Sequence, residues 1–375
     1  MIFLDNASTT PALPECAEIM KKYATEEFFN PSAPYGPSVR VSNTLNDARE
    51  RAAKLLKGDG KIIFTSSGSE SNNLVLFGTK KANNSRIIIS ESEHPAIKKP
   101  AEELRQRGFD VVFCPVDSCG RVIPEKLAEL LNDNTSLVSI MHVNNETGGI
   151  NDIKKLCAIV KEFNPKILFH SDGVQAIGKI KVAIDELGVD FYSISGHKFH
   201  APRGVGALYV KKGVNIKPII FGGGQEFNIR SSTENTAGIL AFVYALEQAC
   251  KNLDDNFNNA TKCNALLREA FTGDNFIIRS DDKCSPYIFN FAIKYLRGEV
   301  MLHSLEKYEI YVGTGSACSS KKTSKNIPAE MKLPEAYEKG ILRISISDKT
   351  TISDINYFIN AFNLEYNNLI KYMRG

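Results

Sequence analysis

The sequence of 375 residues lacks several features that would each assign a class of protein. No uninterrupted apolar run approaches the roughly 20 residues that span a bilayer, so no transmembrane helix is predicted. The segment Met1–Asp5 lacks the basic stretch and the longer apolar core of a signal peptide, which makes the cytoplasm the expected compartment. With 46 basic and 43 acidic residues the charge is nearly balanced, so neither nucleic acid nor an anionic membrane is an expected partner.

The eight cysteines show neither a Cys-x-x-Cys pair nor a framework typical of small secreted domains. Cys114 and Cys119 are the closest pair in the sequence, and they flank a turn without companion ligands. We therefore predict no metal site, and we expect most of the cysteines to be buried as small apolar residues.

Between about residues 60 and 210, short apolar runs alternate with segments of helical periodicity. This alternation predicts an α/β protein with a mainly parallel, doubly wound sheet. The predicted helices include Asn73–Lys81, Ala96–Arg107, Pro124–Leu131 and Ile153–Phe163. The seven predicted strands are Ile62–Thr65, Arg86–Ser90, Val111–Cys114, Leu137–His142, Ile167–Phe169, Phe191–Ile194 and Val205–Val210.

The chain is longer than one hydrophobic core comfortably supports, so two domains are expected. A helical stretch at Ala237–Leu253 ends the large domain, which we place at residues 15–253. Beyond it, strands predicted at Phe276–Arg279, Tyr287–Phe291 and Leu342–Ile346 mix with helices at Glu299–Glu306 and Ile352–Tyr372. Residues 1–14 and 254–375 are accordingly predicted to form a small α+β domain.

Two charged residues each follow the end of a predicted strand. Lys198 closes the run Ser195–Lys198, and Asp172 precedes it by 198 − 172 = 26 positions. Ligands of doubly wound sheets bind beyond the carboxyl ends of the strands. A lysine can form a Schiff base, and a carboxylate can keep a pyridine nitrogen protonated, so the pair indicates pyridoxal phosphate (PLP).

Three further loops follow predicted strands. The small-residue turn Ser66–Glu70 opens a helix and suits a phosphate, although an ordinary serine cap would look the same. His94 could stack on a planar ring and exchange protons, or be a loop histidine without a function. The amides of His142–Gly149 could bond a ring hydroxyl or merely cap the turn.

Cys318 lies in a loop rich in small, hydroxyl-bearing and basic residues, where a thiolate is favoured over a thiol. The segment Gly315–Pro328 has few apolar residues, so we expect it to stay mobile until substrate or an acceptor orders it. Such a loop could deliver a catalytic thiolate. Without the cofactor residues, an exposed cysteine with no function would be the preferred interpretation.

Together these residues resemble the group I cysteine desulfurases, the NifS/IscS type, of the class V aminotransferase family. The matching motifs run through most of the chain, and their order and spacing as a set is highly specific. They are Asp5–Pro11, Asn30–Ser32, Thr65–Asn73, Glu93–His94, Ser139–Gly148, Asp172–Gln175, Ser195–Lys198, Gly204–Tyr209, Gly222–Gln225, Arg230–Thr233 and Gly315–Cys318.

The resemblance implies a fold type I PLP-dependent transferase, with a seven-stranded sheet in its large domain, and a role for each matching residue. Lys198 would bind PLP as a Schiff base and move the Cα proton of the substrate. Asp172 would pair with the pyridinium nitrogen, and Gln175 would bond the ring hydroxyl. His94 would stack on the ring, and Asn145 would contact both cofactor and substrate.

The remaining roles concern the phosphate, the substrate and the nucleophile. Arg343 would bind the substrate carboxylate, a task that suits a bidentate guanidinium. Cys318 would attack the sulfur of L-cysteine, which leaves a persulfide on the enzyme and L-alanine as product. The phosphate would be held by Gly68, Ser69, Ser195 and His197, with Thr233 from the second subunit of a homodimer.

The resemblance also implies a protein that accepts the sulfur, in iron–sulfur cluster assembly, tRNA thiolation or a thio-cofactor pathway. Two segments depart from the family. Ala33–Pro37 replaces a usual histidine and a later glycine, and Lys322–Pro328 replaces a usual Glu-Pro-Ser segment. These departures leave the acceptor open while the cofactor residues are intact.

Other activities fit parts of the same pattern. A selenocysteine lyase shares the fold and the lysine, but the Gly-Ser-Ala-Cys loop favours a desulfurase. In another class V PLP enzyme, such as an aminotransferase or a cystine lyase, Cys318 would be dispensable. A scaffold or sulfur-relay protein without catalysis would be favoured only if Lys198 or Asp172 were absent, and both are present.

Overall fold

A computed structural model describes residues 1–79, 82, 84–314 and 331–371. Cys318 and the predicted mobile segment Gly315–Pro328 lie outside the described residues. Within the described part of the chain, no helix is long and apolar enough to cross a membrane.

The described residues form two groups of elements, one around a seven-stranded sheet and one around a three-stranded sheet and a two-stranded pair. The strands are β1 (Ile2–Leu4), β2 (Lys61–Thr65), β3 (Arg86–Ser90), β4 (Asp110–Cys114), β5 (Thr135–Ser139), β6 (Leu168–Asp172), β7 (Phe191–Ser195), β8 (Gly206–Val210), β9 (Phe276–Ile278), β10 (Ile288–Ile293), β11 (Ile310–Val312) and β12 (Ile341–Ser345). The helices are α1 (Pro14–Thr25), α2 (Gly36–Leu55), α3 (Gly68–Gly78), α4 (Pro95–Gln106), α5 (Pro124–Leu130), α6 (Ile153–Phe163), α7 (Ile184–Leu187), α8 (Gln225–Asn228), α9 (Thr236–Lys251), α10 (Leu253–Ala270), α11 (Gly298–Glu306), α12 (Glu335–Glu338) and α13 (Ile352–Ile370).

The large sheet has seven strands in the order β2-β8-β7-β6-β5-β3-β4. Neighbouring strands from β7 through β4 pair in parallel, and only β8 runs antiparallel to both its neighbours. This arrangement confirms the predicted mainly parallel sheet and all seven strands assigned to it. The antiparallel β8 follows β7 after ten residues, a connection that needs no helical crossover.

Helix α3 begins at Gly68, five residues before the predicted start at Asn73. The difference has a local cause, because the Ser67 side chain accepts a hydrogen bond from the backbone N–H of Glu70 and caps the helix there. The helix therefore starts directly after β2, and its first turn lies at the carboxyl end of that strand.

Buried apolar side chains fill both faces of the large sheet, and strands β7 and β8 are buried along their whole length. A separate core contains Leu4 together with side chains between Ala260 and Phe362. It packs the antiparallel sheet β12-β10-β9 and the parallel pair β1-β11 against helices α10, α11 and α13. Six of the seven described cysteines are buried, as predicted.

Candidate active site

A cavity of about 370 Å³ lies beyond the carboxyl ends of the parallel strands. Two of the predicted site residues are not among those described as lining this cavity. Thr233 is exposed and does not line this cavity, and Cys318 lies outside the described residues. The cavity is lined by ten of the predicted site residues: Gly68, Ser69, His94, Asn145, Asp172, Gln175, Ser195, His197, Lys198 and Arg343.

Asp172 is the last residue of β6 and is only 6% exposed. Its Oδ2 accepts a hydrogen bond from Asn72 Nδ2 at 2.7 Å, and its Oδ1 accepts one from the backbone N–H of Val174 at 3.0 Å. Both partners are N–H donors, which is the arrangement that an acceptor-only carboxylate requires. These two bonds fix the orientation of the carboxylate in the lining of the cavity.

Lys198 ends the 3₁₀ turn Gly196–Lys198 that follows β7. Its Nζ donates to the backbone oxygens of Ala7 and Ser8, the latter at 2.7 Å. Burial, together with the positive charge of Arg343, lowers the pKa of Lys198 to about 8, while Asp5 and Asp172 act in the opposite direction. A lysine with such a pKa has an appreciable neutral fraction near neutral pH, as a nucleophile or base needs.

His94 caps α4 just beyond β3. Its Nδ1 accepts a hydrogen bond from the backbone N–H of Ala96 at 3.1 Å, so the neutral ring carries its proton on Nε2. Burial lowers the pKa of His94 and favours this neutral form. The preceding residue, Glu93, is fully buried and accepts a hydrogen bond from the backbone N–H of Met141.

The first turn of α3 and the turn after β7 face each other across one end of the cavity. Gly68 permits the approach, because a Cβ there would lie 2.7 Å from Val174 Cγ2 and 3.3 Å from Ser195 Cβ. The first N–H groups of a helix have no partner within it and attract anions. Nearby, burial and then the charges of Lys198 and Arg203 lower the pKa of His197 to about 4.

Arg343, on β12, also lines the cavity and is 7% exposed. One Nη donates to Asp5 Oδ1 at 2.7 Å. The other donates to the backbone oxygen of Asn145 at 2.9 Å and to Glu146 Oε1 at 3.3 Å. Its Nε is buried without a hydrogen-bond partner among the described residues. The guanidinium is held in place and still has an unused donor.

Gln175 links the cavity to a second buried lysine. Its Nε2 donates to the backbone oxygen of Ala7 at 2.8 Å, and its Oε1 accepts a hydrogen bond from Lys179 Nζ at 2.6 Å. Burial, followed by repulsion from Lys198 and Arg343, lowers the pKa of Lys179 to about 7. The side-chain amide of Gln175 is therefore fixed in one orientation.

Four polar residues at the site were not predicted from the sequence. Asn72 lies four residues after Gly68 on α3, so its position on the same helix face was a usable signal. Asp5 and Glu146 bind Arg343, and Lys179 binds Gln175. The contacts of Asp5 and Glu146 with Arg343 join parts of the chain that are too far apart in sequence for a local pattern to indicate them.

These residues fit PLP. An amine and a carboxylate line the same cavity, as the aldehyde and the pyridine nitrogen of the cofactor require. The glycine at the start of α3 lets the first turn of that helix approach Ser195, and the N–H groups of a helix start suit a phosphate. Arg343, which also lines the cavity, adds a guanidinium cation for a carboxylate of the substrate.

Comparisons with known proteins agree with this arrangement. The family model described as Aminotransferase class-V matches residues 2–358. A cysteine desulfurase IscS of Dictyoglomus turgidum is 39% identical over 369 residues, which cover 96% of this chain and 93% of the relative. A NifS/IcsS protein homolog of Lactobacillus delbrueckii subsp. bulgaricus is 38% identical, and the match covers 99% of this chain and 98% of the relative.

Solved structures show the same likeness. A NifS-like protein superposes with a TM-score of 0.91 at 33% sequence identity, and the match covers 98% of this chain and 99% of that protein. SspA in complex with cysteine has a TM-score of 0.80 at 27% identity, and the match covers 93% of this chain and 99% of SspA. The predicted fold type I is confirmed by these likenesses and by the sheet. The chain belongs to the class V aminotransferase family and, within it, to the PLP-dependent cysteine desulfurases of the NifS/IscS type.

Proposed function

We propose that this protein is a cysteine desulfurase that converts L-cysteine to L-alanine and receives the sulfur as a persulfide on Cys318. The observation that carries the proposal is that Lys198, Asp172 and Arg343 line the same cavity. The names of the relatives favour L-cysteine over the alternative of a selenocysteine lyase.

PLP, when bound, supplies an electron sink for charge that develops at the Cα of the substrate. We propose that Lys198 binds it covalently and that Asp172 faces its ring nitrogen. Gln175 and Asn145 would contact the ring hydroxyl side, and His94 would cover one face of the ring. The phosphate would lie against Gly68, Ser69, Ser195 and His197.

The protein side chains would position the substrate and move its protons. Arg343 would bind the carboxylate of L-cysteine, with Asp5 and Glu146 holding the guanidinium in place. Lys198 would take the Cα proton on Nζ, a task for which its lowered pKa is suited. The Cys318 thiolate would form a bond to the substrate sulfur as the bond from that sulfur to carbon breaks.

We also propose a homodimer in which the segment 230–233 of each subunit completes the site of the other. Thr233 is exposed in the single chain and lines no part of its own cavity. Next to this segment lie exposed apolar side chains, with Phe221 81% and Phe227 47% exposed. Such a patch is typical of a surface that a partner covers. An active, PLP-bound monomer by light scattering at assay concentration would contradict the dimer.

The proposed setting is the cytoplasm, and the proposed partner is a protein that accepts the persulfide sulfur. Relatives named IscS point toward iron–sulfur cluster assembly, and a tRNA-thiolation enzyme is the other candidate. The separate core around Leu4 and residues 260–362 supports a division into a large domain of residues 15–253 and a small domain of residues 1–14 and 254–375.

The test of the activity uses one substitution. Wild-type protein is expected to release alanine and, with a reductant, sulfide from L-cysteine. Cys318→Ser should lose sulfide release and keep bound PLP, because the ring chemistry depends on Lys198 while carbon–sulfur cleavage needs the separate thiolate. Unchanged sulfide release would instead support a lyase or an aminotransferase.

A further inference from the structure

Two cysteines from distant parts of the chain meet outside the cavity. Cys119 lies in the loop between β4 and α5, and Cys284 lies in the loop between β9 and β10, 284 − 119 = 165 positions later. Their sulfur atoms and a carboxylate oxygen of Asp281 all lie within 4.8 Å of one another. Cys119 is 2% and Cys284 is 8% exposed, so the pair is shielded from all but small molecules.

Asp281 does not behave as a free metal ligand in this cluster. Arg121 donates to both of its carboxylate oxygens, at 3.0 Å from one Nη and more closely from the other. A metal ion bound to that carboxylate would lie beside the guanidinium and be repelled by it. The two thiols are therefore the groups of the cluster that are available for chemistry.

The two thiols differ in acidity. Hydrogen bonding with Cys284 lowers the pKa of Cys119 to about 7, and it raises the pKa of Cys284. A thiol of lowered pKa beside a second thiol is the arrangement that favours oxidation to a disulfide. In contrast, burial raises the pKa of Cys114, in the same segment of the chain, to about 12.

We propose that Cys119 and Cys284 form a reversible disulfide when the protein meets a hydroperoxide. The Cys119 thiolate attacks one peroxide oxygen, the oxygen–oxygen bond breaks, and a sulfenic acid and hydroxide form. Cys284 then attacks that sulfur and the hydroxyl leaves, taking up the thiol proton as water. In total, two thiols are oxidised and one hydrogen peroxide is reduced to two waters.

The disulfide would join two loops that both contact the loop carrying Asn145. The Thr147 hydroxyl donates to the backbone oxygen of Cys119, and the backbone N–H of Ser285 donates to the oxygen of Gly148 at 2.8 Å. Oxidation would therefore covalently join the two loops that hydrogen-bond to the loop carrying Asn145. It would also constrain the unfolded chain over a long loop, so we expect a higher Tm for the oxidised protein.

Peptide mapping of the full-length protein tests the disulfide. The protein is treated with hydrogen peroxide, its free thiols are alkylated, and it is digested with trypsin without reduction. We expect peptide 108–121 joined to peptide 284–294, with a loss of about 2 Da that dithiothreitol reverses. Because peptide 108–121 also contains Cys114, fragmentation must place the link at Cys119.

Matched variants identify the two sulfur atoms. Cys119→Ser and Cys284→Ser should each lose the link, while Cys114→Ser should keep it. Cys318→Ser should also keep it, which separates this chemistry from the proposed nucleophile. A link through Cys114, a link between two molecules, or a sulfenic acid that never joins Cys284 would overturn the proposal. Zn²⁺ bound one to one by the reduced protein, and lost in Cys119→Ser, would replace it with a metal site.

Discussion

Replacing Asn72 with alanine is expected to weaken PLP binding while leaving the fold intact. The Asn72 amide donates to Asp172 Oδ2 at 2.7 Å, and both side chains are buried. A hydrogen bond to a charged group contributes about 1.5–3 kcal/mol. If this bond holds Asp172 toward the ring nitrogen, its loss raises the dissociation constant of PLP by about 10- to 100-fold.

The measurement is a titration of the apoprotein with PLP, followed by absorbance, for wild type and Asn72→Ala. Asn259→Ala is the matched control, because its Nδ2 donates to the backbone oxygen of Thr350 at 2.9 Å, away from the cavity. The control should bind PLP like wild type. Equal affinities of all three proteins would refute the role given to Asn72, and so would a loss of affinity in Asn72→Ala that simply follows a loss of folded protein.

Three further changes test other parts of the site and the fold. Arg343→Lys should raise KM for L-cysteine by about 10- to 100-fold with normal PLP content, since it loses paired donors to a carboxylate; unchanged steady-state kinetics would contradict this. Lys198→Met should stabilise the apoprotein by at most about 3 kcal/mol below pH 8, because the folded pKa of about 8 lies under the ordinary 10.5. This difference in the free energy of unfolding, measured in urea, should shrink between pH 8 and 10.5. A difference that grows with pH would contradict the lowered pKa of Lys198. Glu226→Gln should destabilise the protein by about 3 kcal/mol, because the buried carboxylate binds Arg49 at 2.6 Å, and unfolding within about 0.5 kcal/mol of wild type would refute that.

The large sheet could be predicted because its strands are continuous apolar runs. Strands β3 and β7 are buried along most or all of their length, so each gives a run without alternation. The short strands β1 and β11 were not predicted. Each has only three residues and pairs with a segment far away in the sequence, as Ile2 does with Ile310. Such pairing has no local pattern.

The site could be predicted in part for a similar reason. Asp172 ends a buried strand, Lys198 and His94 lie shortly after the ends of two others, and the carboxyl ends of parallel strands meet at one edge of a sheet. The contacts that fix them could not be predicted. Asn72 reaches Asp172 across 100 positions, and Asp5 reaches Arg343 across 338, so only the folded chain brings these groups together.

The most direct test of the central claim is to find which lysine carries PLP. The holoprotein is reduced with borohydride, digested, and examined by mass spectrometry for the peptide that retains the cofactor. We predict that it contains Lys198. Lys179 is the informative competitor, because it is buried nearby and its pKa of about 7 also gives it a large neutral fraction near neutral pH. Label on Lys179, or on any lysine other than Lys198, would contradict the account.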